Sequence, residues 1–199
     1  MIPCLSRGSL SLLVTIAIFI FTSQPTAAQS PLKAPEGWTG ETIQLPPGFA
    51  RDMTFKGVEH IRFAPGMFKP AAPDFFSYAF VFELKNTEQP DLKTLQREFL
   101  TYYRGLCSAV GGKRIPDLDV SKFTCVLKPA QNPNNDDKTF NGTLSWIEPF
   151  QTLRPQTLHL EITAWSDEKN SFVFACVSPQ NRDAEIWTQL RKIQQGLRP

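Results

Sequence analysis

Histidine is scarce, charge is nearly balanced, and no second long apolar run exists. Each shortage narrows the field. The 199 residues contain two histidines, His60 and His159. A metal site ordinarily takes three or more ligands, so no metal is assigned. The formal net charge is +2 and the basic residues are scattered, which argues against a nucleic-acid partner. Beyond the first run, no apolar stretch reaches the roughly 20 residues of a membrane span, so no span is expected in the mature chain. No CxxC pair, GxSxG elbow, HExxH helix, Walker A loop, Rossmann glycine fingerprint or EF-hand loop occurs. No catalytic residue and no cofactor are therefore assigned.

The first stretch reads as an address. Met1 to Ser9 carries one basic residue, Arg7. Leu10 to Phe21 is almost continuously apolar, and small residues follow up to Ala27-Ala28. That order is a secretory signal peptide over 1–28, and it predicts a secreted or periplasmic protein. Of four cysteines, Cys4 falls in the leader, leaving Cys107, Cys125 and Cys176. Export permits disulfides, but an odd count leaves at least one thiol unpaired in the monomer. Asn141-Gly142-Thr143 is an N-glycosylation sequon that matters only in a glycosylating host, and Gly142 there suggests a bulge.

Residues 29–57 are rich in proline and glycine and predict an extended arm lying over the domain. The α+β domain then spans 58–199. Its organising stretch is Asp74 to Leu84. Alternation puts Phe76, Tyr78, Phe80, Phe82 and Leu84 on one face, with Phe75, Ser77, Ala79, Val81 and Glu83 on the other. Burying the first set is worth roughly 1.5–3 kcal/mol per large side chain. A helix from Pro90 or Asp91 carries Leu92, Leu95, Phe99, Tyr102, Tyr103, Leu106 and Val110 on one stripe. Gly111-Gly112 should stop it with a left-handed cap. Strands are expected over 58–63, 121–127, 139–148, 156–165 and 171–177, the last two as a hairpin. Ser171 to Val177 is apolar on both faces, as in an interior strand covered on each side. A second helix over 183–195 buries Ile186, Leu190 and Ile193. The fold class is α+β: one domain, an antiparallel sheet of about six strands, and two helices packed on one face.

The candidate site residues are few. Trp38, Met67, Phe68 and Trp165 lie in loops or near the ends of elements and would mark a binding surface if exposed. His159 and Glu161 share a strand face two residues apart, as a base and its orienting acid would, but Thr157 and Thr163 on that face suggest a solvated surface. Glu59-His60 lie side by side on a strand and so point opposite ways. The reading that follows is a non-catalytic exported binding module for a protein or surface partner. A carrier of an apolar small molecule, with the aromatic strand lining its cavity, is the alternative; a small hydrolase using His159 and Glu161 is the third.

Overall fold

The computed structural model describes residues 30–86, 88–131 and 137–197. The signal peptide expected over 1–28 lies outside these residues, as do residues 132–136. Seven strands form one antiparallel sheet: β1 (Thr39–Leu45), β2 (Gly57–Phe63), β3 (Tyr78–Leu84), β4 (Thr124–Pro129), β5 (Lys138–Ile147), β6 (Pro155–Ser166) and β7 (Ser171–Ser178). Their order is β1-β2-β3-β7-β6-β5-β4. Helix α1 (Leu92–Gly111) connects β3 to β4, and α2 (Glu185–Gln195) follows β7.

The α+β class and the antiparallel sheet hold, with seven strands in place of about six. The additional strand is β1, taken from the middle of the expected arm. It pairs with β2 from Thr39↔Phe63 to Leu45↔Gly57 and is mostly exposed, as an edge strand is. The rest of the arm straps the domain. Leu32 is buried beside α2, and Ala50, Met53 and Phe55 are buried on the α1 side. At Gly105 a Cβ would lie 2.2 Å from the Phe49 carbonyl oxygen. Only glycine there lets this strap meet the helix backbone.

The two helices lie on opposite faces of the sheet, which corrects the expectation of one shared face. Tyr78, Phe80, Phe82 and Leu84 of β3 share a core with Leu95, Phe99, Tyr102 and Tyr103 of α1. Ala79 and Val81 of the same strand share the other core with Ile186, Trp187, Leu190 and Ile193 of α2. The reason is visible in β7, where Phe174 and Cys176 meet α2 while Val173, Ala175 and Val177 meet the α1-side core. A strand apolar on both faces needs a cover on each, and α2 is the second cover. The β6–β7 hairpin forms as expected.

Helix α1 starts where an acidic cap allows it. The Asp91 side chain accepts from the Thr94 amide at 2.7 Å, satisfying one orphan donor of the first turn. Its end differs from expectation. Gly112 keeps right-handed angles, φ −55° and ψ −29°. The chain instead continues turning, with Arg114 and Ile115 amides both bonding the Gly111 carbonyl, and the Arg114 guanidinium donating to the Pro149 and Phe150 carbonyls. Gly142 marks no bulge either: it sits in regular register between Leu127 and Leu160. Among the described residues no helix is long and apolar enough to cross a membrane.

Candidate functional site

The aromatic strand begins with a break in its alternation. Phe76 has φ of 51°, a left-handed conformation costing an ordinary residue roughly 1–2 kcal/mol. The kink turns both Phe75 and Phe76 into the α1-side core, so Phe75 does not face away as simple alternation requires. Regular alternation starts at Tyr78. Ahead of the kink, residues 64–76 fold as consecutive turns, with Met67 bonding Ala64, Lys69 bonding Gly66 and Ala72 bonding Lys69. The Asp74 carboxylate accepts from the Gly66 amide at 2.8 Å. A Cβ at Gly66 would lie 1.9 Å from that carboxylate, so the turn is closed by a contact only glycine permits.

This turn, the ends of β1 and β2, and α1 enclose an apolar crevice of about 160 Å³. Ile43 of β1, Ile61 and Phe63 of β2 and Met67 of the turn line it. Tyr78 of β3, Tyr102 and Leu106 of α1, and Phe49, Phe76 and Phe150 complete the lining. Rings meet around it at 5.0 Å for Phe49–Tyr102 and 5.6 Å for Phe68–Phe150. Phe68 stands on its rim with 46% of its surface exposed, one of two large apolar side chains so exposed among the described residues. Glu41 supplies the one charged side chain of the lining.

Behind this wall lies a buried polar cluster that sequence reasoning missed. Glu59 is 1% exposed, and its Oε2 has no hydrogen-bonding partner among the described residues. Burial pushes its carboxyl up to about 8; the Tyr102 hydroxyl opposes the shift and Glu41 adds to it. Two other buried acids show what full satisfaction looks like. Glu98 accepts from the Thr54 amide and hydroxyl, both at 2.8 Å. Glu148 accepts from the amides of Phe150, Gln151 and Thr152. Beside Glu59, Tyr78 and Tyr103 join hydroxyl to hydroxyl. Burial raises all three tyrosines above their usual range. With burial the largest effect and one donor against it, the Glu59 carboxyl keeps its proton at ordinary pH. The one sequence signal was parity: Glu59 shares its strand face with Ile61, which points into the core.

The other expected residues are distributed. Met67 and Phe68 both line the crevice, although Met67 is buried. Trp38 is half-buried against the α2-side core at the start of β1. Trp165 stacks on Phe172 at 5.2 Å at the opposite end of the sheet. These four therefore do not form one patch.

His159 and Glu161 share a face, as expected, but that face is not solvated: α2 covers it. Glu161 accepts two bonds from Arg191, at 2.7 and 2.9 Å, and lies 3.6 Å from Arg182. Its carboxylate is thus committed to a paired arginine rather than to a histidine. His159 is half-buried, its Nδ1 has no partner among the described residues, and burial followed by the Arg182 charge holds its pKa down. Gln194 donates to Thr163 at 2.7 Å on the same face. The arrangement clamps α2 to the sheet. His60 is buried, with Thr42 Oγ1 at 3.2 Å and Glu83 at 4.0 Å, and burial lowers its pKa as well.

Cys107, Cys125 and Cys176 are free thiols. Burial pushes Cys107 up to about 11 and Cys125 to about 12, and raises Cys176 further from reactivity. Among the described residues, no group of three or more His, Cys, Asp and Glu side chains is placed to hold a metal ion. No family model, curated protein or solved structure matches this chain.

Proposed function

We propose that this is an exported, non-catalytic binding module that grips a protein partner by one side chain seated in the aromatic crevice. The crevice volume carries the reading. Pockets that engulf small-molecule ligands are typically about 300–1,000 Å³, whereas a void of about 150 Å³ takes a benzene-sized group. At about 160 Å³ the space suits one side chain and favours an anchor over a carrier of free apolar ligands. Interfaces concentrate their energy in such anchors. Phe68, exposed on the rim, adds contact area where a partner would sit. Tyr78, which lines the crevice, is tied by its hydroxyl to Tyr103 behind it, so this part of the wall is preorganised and less ordering is needed on binding. Export rests on the leader over 1–28, and it places the partner outside the cytoplasm.

Two measurements test this. Leu106→Trp fills the crevice from α1. Proteins of the exported fraction retained by the wild type should be lost on this variant with its melting temperature unchanged. Equal retention by both would remove the crevice from the interaction. Mass spectrometry of exported protein should find an N-terminus at Gln29 or within a few residues; an intact Met1 would overturn cleavage.

A further inference from the structure

We infer that the side chain seated in the crevice is a lysine, its methylene stem against the aromatic rings and its ammonium beside Glu41. This rests on the reading of the crevice as the binding site and names the partner's chemistry. Charge is the ground for it. Among the described residues no lysine, arginine or histidine lines the crevice, and Glu41 is its one charged group. The rings of Phe63, Phe68, Tyr78, Tyr102 and Phe150 are among its walls, with aliphatic side chains between them. Aromatic faces are negative and attract ammonium groups, the more so once water is excluded. A cation is therefore attracted from the rim and from the walls.

Lysine fits better than a lipid headgroup. Its stem is apolar and long enough to cross the crevice while the charged end finds a polar partner. A phosphocholine group would bring its phosphate against Glu41, and like charges at a mouth repel. A bare aliphatic side chain would leave the Glu41 carboxylate partly desolvated with nothing to offset it.

The test compares isosteres. The full mature protein is titrated by NMR with N-acetyl-lysine methylamide and with the norleucine analogue, which lacks the ammonium. The lysine compound should bind about tenfold more tightly, with shifts at Ile43 and Ile61. Glu41→Gln, on an exposed edge strand, should cut that advantage to about threefold or less. Equal affinities would overturn the lysine assignment while sparing the crevice as an apolar anchor. Shifts from neither compound would overturn both. Tighter binding of phosphocholine than of the lysine compound would assign the crevice to a lipid headgroup and overturn the proposal.

Discussion

Replacing Glu59 by glutamine should make the protein more stable, increasingly so as the pH rises. The carboxyl ordinarily titrates near 4.5 and is pushed to about 8 in the fold. An acid whose folded pKa is raised holds its proton more tightly when folded. Its contribution is therefore fully present below pH 4.5 and is lost as the pH climbs toward 8. Each pKa unit is worth about 1.4 kcal/mol. The 2.5 units from 4.5 to 7 amount to about 3 kcal/mol, and the full 3.5 units to about 5. Against a typical domain stability of about 5–15 kcal/mol this is large. His60 and His159, whose folded pKa values are lowered, act in the opposite sense. They cost stability as the pH falls below 6.5. Both are neutral in the folded and unfolded chain above pH 7.5 or so, and both cancel in a comparison of wild type with Glu59→Gln. The lowered carboxyls of Asp91, Asp119 and Asp167 act only below about pH 4. Urea unfolding at pH 5, 6, 7, 8 and 9 is the assay. The variant should match the wild type near pH 5 to within about 1 kcal/mol and exceed it by about 3 at pH 7. Parallel stability curves for the two proteins would refute the reasoning, because they would mean Glu59 does not change its proton binding on unfolding.

Phe80 is 3% exposed and packs on Phe82 and Phe99 at 4.7 and 5.7 Å, so Phe80→Ala should cost roughly 3–5 kcal/mol; an unmoved denaturation midpoint would remove it from the core. His159→Ala should preserve folding and biological role, since Glu161 is held by Arg191 and offers the ring no orienting bond; loss of role with an unchanged melting temperature would revive the hydrolase. In protein lacking residues 1–28, a thiol reagent should find three reactive cysteines when unfolded and little reaction when native, because thiolate formation is suppressed by burial. Rapid labelling of Cys107 or Cys176 in the native state would contradict their placement.

What the sequence made legible follows from how local each signal is. Helix α1 carries its apolar stripe within a single window, and it forms over Leu92–Gly111, ending at the glycine pair though without the left-handed cap. Strand β6 alternates cleanly, and Leu158, Leu160, Ile162 and Ala164 are all buried as that pattern requires. Strand β1 has no such pattern because an edge strand buries little, and its Pro/Gly flanks suggested only an arm. The side on which α2 packs depends on which strands neighbour β7, a fact written in the pairing and not in any window. Glu161 looked solvated because the arginine that covers it lies 30 residues later in the chain. Glu59 was hidden for the same reason: the hydroxyl that bonds it belongs to Tyr102 of α1, beyond the reach of any local pattern. The crevice needs four separated segments and one left-handed phenylalanine, so only Met67 and Phe68 gave notice of it.

The pairing of β3 with β7 joins Tyr78 to Val177 and Leu84 to Ser171, and it is the seam at the middle of the sheet. The two halves on either side are built from neighbours in sequence: β1-β2-β3 as one meander, β4-β5-β6-β7 as the other. The seam therefore closes over a loop that contains α1 and half the sheet, and ordering so long a loop before its contacts repay it makes folding slow. Until Ser171–Ser178 is available, the aromatic strand has a bare edge with two apolar faces, the kind of edge that recruits other chains. A chain cut short before β7 should aggregate rather than fold in part.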